Sequence, residues 1–236
     1  MVVPNGSPVT PAVPVGSDEF GRRLAAVRAR IGSAAPDPGR VTLVAVTKGF
    51  GPEAVRTAVA AGLTTVGENY ADELVTKAAE VAGDPGPQPV WHYLGAVQRN
   101  KVARLAPLVA CWQGVGRIEE GRAIARHRPG SRVLVQVDVA GLPGRGGVPP
   151  EAVPALVDRL REEDLDVAGL MAVGPPGPPE DSRPGFRQVT GLADGLDLPV
   201  RSMGMTDDLE VALSEGSTMI RIGRALFGDR PPRTAL

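Results

Sequence analysis

Along the chain, short runs of apolar and β-branched residues alternate with longer stretches whose apolar residues recur every three or four positions. The runs fall at 41–46 (VTLVAV), 63–66 (LTTV), 90–94 (VWHYL), 108–112 (LVACW), 132–137 (RVLVQV), 166–173 (DVAGLMAV), 199–203 (PVRSM) and 218–222 (TMIRI). Their shortness and content predict buried strands. The stretches 52–61, 69–81, 97–106, 117–127, 150–163, 183–195 and 206–215 predict helices, with a last short one from about 224. Ser17-Asp18-Glu19 reads as another helix start, with Leu24, Val27 and Ile31 at helical spacing.

Eight strands, each followed by a helix, imply a parallel sheet, and eight units close a TIM barrel. The expected fold is therefore a single (β/α)8 barrel in the α/β class. An open doubly wound sheet is the rival, but no strand–GxGxxG–helix unit occurs. The stretch GVGRIEEG, Gly114 to Gly121, has the wrong spacing. Residues 1–16 are rich in Pro, Gly and Ser and uncharged, which predicts a disordered tail before a barrel domain at 17–236. The segment 174–185, GPPGPPEDSRPG, is the loop after the sixth strand. A mobile surface loop is expected there, ahead of a lid.

Composition narrows the function. Hydrophobic residues make up 42% and aromatics only 3%, so the core is built from Val, Leu, Ala and Ile. A net charge of −1 gives no footprint for nucleic acid or an anionic membrane. No apolar run is long enough to cross a bilayer and no secretory leader is evident, so a soluble cytoplasmic protein is expected. The single cysteine, Cys111, excludes an internal disulfide and a cysteine metal cluster, and is expected to be a small buried hydrophobe. No metal is expected.

One feature of the charge is informative. Lys and Arg total 26, yet lysine occurs only at 48, 77 and 101. Arginine does not lose its proton under ordinary conditions and cannot serve as an amine nucleophile. Lys77 reads as an exposed helix residue. Lys48 emerges from the end of the first strand, where barrels place their chemistry. The other strand ends there present Glu68, Asn69 and Tyr70, then Gly95, Asp138 and Met171, and finally 202–206 and 221–223. The segments RSMGMTDDLE (201–210) and RIGRALFG (221–228) each turn at glycine into a helix, with Thr206 expected as an N-cap. Paired turns of this kind either form an anion site or are merely tight turns. With the anion reading, an amine facing that site across the barrel suits a small phosphorylated aldehyde. The other reading of Lys48 is a rim lysine paired with Glu68.

These residues resemble a known family, the pyridoxal 5′-phosphate (PLP) homeostasis proteins, related in fold to the N-terminal barrel of alanine racemase. The shared pieces are LVAVTK (43–48), GENYADEL (67–74), WHYLGAVQRNK (91–101), QVDV (136–139), GLMAV (169–173), SMGMTDDLEVAL (202–213) and GSTMIRIGRALFG (216–228). The resemblance implies a fold-type III barrel with PLP as cofactor. It implies Lys48 as the Schiff-base lysine and Arg221 as the arginine facing the pyridine nitrogen. It implies Ser202, Thr206, Gly223 and the backbone of Arg224 as the phosphate cradle, with Asn69 and Met203 on the pocket wall. The chain departs from the family pattern at Thr206 (usually Ser), at Arg224 (usually a small hydroxyl residue) and at Gly116 (usually acidic). It also lacks the second lysine that commonly follows Lys48.

Arg221 can only donate, which favours an unprotonated pyridine nitrogen and a weaker electron sink. Racemization also needs an acid–base group on each face of the α-carbon. Alanine racemase takes its second base from an extra domain, and none is expected here, since the sequence stops at Leu236. Tyr93 and His92 are expected in the core, and His127 on a solvated, arginine-rich helix. The expectation is a carrier with no catalytic residues, taking part in intracellular PLP homeostasis and delivery. PLP-dependent apoenzymes are the expected partners, and the chain is expected to be a monomer. A PLP-dependent racemase-like enzyme is the alternative, and a sugar-phosphate enzyme using a barrel lysine a third reading.

Overall fold

The computed structural model describes residues 16–142 and 146–230. Residues 1–15 of the expected tail lie outside the described residues, and Gly16 caps the first helix. Eight parallel strands close in sequence order into a barrel: β1 (Thr42–Val46), β2 (Thr65–Glu68), β3 (Val90–Tyr93), β4 (Val109–Val115), β5 (Arg132–Val137), β6 (Asp166–Ala172), β7 (Val200–Ser202) and β8 (Met219–Ile222). The helices are α1 (Ser17–Ala34), α2 (Pro52–Ala60), α3 (Ala71–Val81), α4 (Val102–Leu105), α5 (Ile118–His127), α6 (Val153–Glu162), α7 (Arg183–Gly195), α8 (Leu209–Ser214) and α9 (Arg224–Phe227). None among the described residues is long and apolar enough to cross a membrane.

Alternation along each strand divides the apolar residues into two layers. Val44, Cys111, Leu134, Met171 and Met219 form a small cluster inside the barrel. Val133, Val135 and Val137 turn outward and join the helices in the main core. Burial pushes the Cys111 thiol up to about 12, in keeping with a small hydrophobe rather than a nucleophile. Helix α1 packs against α8 and α9, and its Phe20 meets Phe227 at 5.3 Å between ring centroids. Phe227 in turn meets Phe50 at 5.5 Å, which pins the loop after β1 to the core.

Several boundaries differ from the pattern for local reasons. The second strand runs 65–68, not 63–66, because α2 ends in a Schellman motif that takes Leu63. Gly62, with φ +82, donates to the Val59 carbonyl, and the Leu63 N–H donates to Ala58 at 2.9 Å. The fourth strand extends to Val115 because polar Gln113 points into the barrel and is hydrogen-bonded there. Helix α8 begins at Leu209, not near 206, because Asp208 takes the N-cap position.

Candidate functional site

Closure brings the first and last strands together. Val44 of β1 is in register with Arg221 of β8, and Val46 with Gly67 of β2. The C-terminal ends of β7, β8, β1 and β2 are therefore neighbours. Lys48 therefore stands beside β8 and the turns that follow β7 and β8, rather than facing those turns across the barrel.

Lys48 lies two residues beyond β1 and is half-buried. It makes no ion pair among the described residues. Burial lowers its pKa first, the positive charges of Arg230 and Arg221 lower it further, and Glu68 opposes them. The result favours the free amine. Glu68 is not its ion-pair partner: the Glu68 carboxylate takes Lys77 Nζ at 2.6 Å and the Thr47 hydroxyl at 2.6 Å. Lys77, expected on an exposed face, is only 4% exposed. It is turned inward because α3 packs its Lys77 face on β1 and β2, where Glu68, the Thr47 carbonyl and Glu73 of its own helix can receive its three protons.

Arg221 is buried inside the barrel. One guanidinium nitrogen donates to the Ser202 carbonyl at 2.6 Å and to the Ser202 hydroxyl at 2.7 Å, and the other to the Ala172 carbonyl at 2.8 Å. No carboxylate pairs with it among the described residues, and burial pushes its pKa down to about 10. The Ser202 hydroxyl passes the chain on, donating to Gln113 Oε1 at 2.7 Å. The Gln113 amide reaches His92 Nδ1 at 2.8 Å. His92, expected in the core, is buried there, and burial holds it down at about 4. Ser202 is thus engaged beneath Arg221.

The turns after β7 and β8 are tied to each other. Gly204 has φ +91, and a side chain there would meet Ala212 Cβ at 2.6 Å, so this turn requires glycine. Asp208 caps α8, and its Oδ1 accepts from the Met205 N–H at 2.6 Å, so Thr206 is not the N-cap that the sequence suggested. The Thr206 hydroxyl instead accepts from the Ala225 N–H at 3.3 Å, in the first turn of α9, and Arg30 of α1 holds the Thr206 carbonyl at 2.9 Å. Gly223 caps α9, and a Cβ there would stand 3.2 Å from the Val46 carbonyl. Arg224 is exposed and pairs with Asp207.

Lys48, Asn69, Ser202, Thr206, Arg221, Gly223 and Arg224 therefore lie on or just beyond four adjacent strand ends. Asn69 is half-buried beside Gly95, where a Cβ would overlap its carbonyl at 2.1 Å. Met203 is the exception: it is wholly buried in the core between barrel and helices. The loop 174–185 lies at the surface over residues 176–181 and is anchored at Ser182, which is buried with its hydroxyl 3.4 Å from Asp208 Oδ2. Tyr93 is buried, and its hydroxyl lies 3.4 Å from the Ala96 carbonyl.

An amine biased toward the free base, a buried cation without a carboxylate, and a hydroxyl joining two glycine turns fit a small aldehyde that carries an anionic group. PLP meets that description, so the donor set fits the cofactor that the resemblance implies. Among the described residues no group of three or more His, Cys, Asp or Glu is placed to hold a metal. The sequence reading missed Glu73, Gln113, Lys77 and Arg230 as neighbours of the site. Only Lys77 carried a signal, the same scarcity of lysine that singled out Lys48.

Residues 20–231 match the family of the alanine racemase N-terminal domain. The pyridoxal phosphate homeostasis protein of Pseudomonas aeruginosa is 38% identical over 219 residues, which cover 88% of this chain and 94% of that one. Its counterpart in Aquifex aeolicus is 36% identical over 224 residues, covering 88% and 97%. The structure of PipY from Synechococcus elongatus with PLP bound superposes with a TM-score of 0.77 at 29% identity, over 89% of this chain and 100% of that one.

Proposed function

The chain belongs to the pyridoxal phosphate homeostasis proteins, within the alanine racemase N-terminal domain family, and from that premise we propose that it holds PLP at Lys48 and releases it to other proteins. The observation that carries this reading is the amine of Lys48, made less basic than an ordinary lysine by burial and by Arg230 and Arg221, on the strand end beside a buried arginine that no carboxylate neutralises. When bound, PLP supplies an aldehyde that an uncharged amine captures reversibly, and a phosphate anion. Lys48 provides that amine. Thr206, Gly223 and the backbone of Arg224 provide the anion-facing turns, and Asn69 the wall beside β2. Met203 contributes through its place in the core, and Ser202 by holding Arg221.

The same geometry supports a carrier rather than an enzyme. Arg221 can offer protons to an acceptor but keeps its own, so it does not protonate a pyridine nitrogen and strengthen it as an electron sink. Tyr93 and His92 are buried on β3, where each is a core residue rather than an exposed acid–base group. We place the protein in the cytoplasm as a monomer, with PLP-dependent apoenzymes as recipients, in keeping with its single buried thiol.

The test is an absorption spectrum of the purified protein with PLP, before and after borohydride reduction, with the labelled peptide located by mass spectrometry. A visible band that reduction removes, with the pyridoxyl mass on Lys48, is expected. A normal band in Lys48→Ala overturns the assignment, and steady turnover of a D- or L-amino acid that Lys48→Ala abolishes overturns the carrier reading.

A further inference from the structure

Lys48 does not sit on its strand. The last ladder bond nearby is from the Thr47 N–H to the Gly67 carbonyl at 3.0 Å. Beyond it the chain makes a tight turn, closed by the Phe50 N–H on the Thr47 carbonyl at 3.1 Å. Gly49, third in the turn, has φ +79, as a type II turn requires. Lys48 is second in that turn. The direction in which its side chain leaves is therefore set by the two peptide groups that flank it.

Both of those groups are held by one face of α3. The Gly49 N–H donates to Glu73 Oε2 at 2.8 Å. The Thr47 carbonyl accepts from Lys77 Nζ at 2.9 Å. Glu73 and Lys77 are four residues apart on the helix and pair with each other at 3.2 Å. Lys77 is fixed in turn by Glu68 of β2 at 2.6 Å, and Glu68 also receives the Thr47 hydroxyl. The turn that presents Lys48 is thus gripped on either side by side chains that belong to a different βα unit.

We propose that Glu73 and Lys77 are positioning residues for Lys48, setting the direction of its amine without touching the cofactor. The proposal rests on the reading of Lys48 given above. A purely structural role would make the same contacts, so the test must separate the two. Lys77 is a poor handle, because it neutralises the fully buried Glu68 and its loss threatens folding. Glu73 is the better one: its side chain is 33% exposed.

The experiment uses the full chain as wild type, Glu73→Ala and Glu73→Gln. It measures the rate of pyridoxyl trapping on Lys48 by borohydride in the presence of PLP. It also measures the affinity for pyridoxine 5′-phosphate, which has the ring and phosphate but no aldehyde for Lys48 to attack. Glu73→Ala is expected to slow trapping about tenfold, the scale at which a misdirected nucleophile loses rate, while its affinity for pyridoxine 5′-phosphate stays at the wild-type value. Glu73→Gln, which keeps an oxygen for the Gly49 N–H, is expected to restore the rate to within about twofold. Wild-type trapping in Glu73→Ala overturns the proposal, as does an equal loss of pyridoxine 5′-phosphate binding or a Glu73→Gln as slow as Glu73→Ala. A wild-type protein that traps nothing on Lys48 overturns the cofactor reading itself, and this proposal with it.

Discussion

Lys77 Nζ lies 2.6 Å from Glu68 Oε1, with the lysine 4% and the glutamate 0% exposed in their side chains. Burial pushes the Glu68 carboxyl up, and Lys77 pulls it back. A pair this deep contributes little over a well-packed apolar pair, but removing one member leaves an uncompensated charge. Lys77→Met is therefore expected to destabilise the fold by about 3–5 kcal/mol. The double variant Lys77→Met with Glu68→Leu is expected to recover part of that loss. Urea unfolding of the three proteins checks this, and a Lys77→Met protein as stable as wild type would remove the pair from the account.

The barrel was legible because its signal is repeated: eight short apolar runs with helical periods between them leave few other architectures. The candidate site was legible in part. Lys48 and Arg221 are polar residues placed at the ends of apolar strands, and the turn at Gly204 carries glycine where only glycine fits. Lys77 was misread because helical periodicity sees only the helix it sits on. Its three acceptors come from residues 47, 68 and 73, and two of these lie on other elements that sequence cannot bring together. Gln113 was hidden for the same reason: its partners His92, Ser202 and Met219 meet only when the barrel closes.

The Lys48 amine is lowered from its ordinary value by burial, then by Arg230, then by Arg221. The capture of PLP proposed for Lys48 requires the free base, so the rate of adduct formation is expected to rise with pH through a midpoint below that of an unperturbed lysine. Because Arg230 is the largest of the charges lowering it, Arg230→Ala shifts this midpoint to higher pH. Arg230 is exposed, so the shift shrinks as salt is added. Stopped-flow absorbance across a pH series at two ionic strengths reads both effects. A midpoint that Arg230→Ala leaves in place would show that burial alone accounts for the amine.

His92 is held at about 4 by burial, with Arg132 adding to it, against an ordinary 6.5. The folded protein therefore keeps the ring neutral while the unfolded chain takes up a proton. This makes no cost above about pH 6.5 and a growing one as pH falls toward 4, reaching roughly 3 kcal/mol at the lower end. His92→Asn removes the titrating ring but keeps an oxygen near the Gln113 amide. Its stability is expected to fall less steeply between pH 6.5 and 4 than that of wild type. Equal slopes in urea melts across that range would assign the acid limb to other groups.

Arg221 reaches Ser202 and Ala172 with three hydrogen bonds, and Ser202 passes the chain to Gln113. Ser202→Ala leaves Gln113 Oε1 without its donor inside the barrel and frees one bond of the guanidinium. The loss of that buried link is expected to cost about 1–3 kcal/mol. The consequence for binding differs from that of a lost phosphate contact. If Ser202 acts by holding Arg221, Ser202→Ala weakens pyridoxine 5′-phosphate and leaves inorganic phosphate unaffected as a competitor. If Ser202 turns its hydroxyl to the phosphate instead, both weaken together. Competition titrations with the two ligands decide between these roles, and the bonds already made by the Ser202 hydroxyl favour the first.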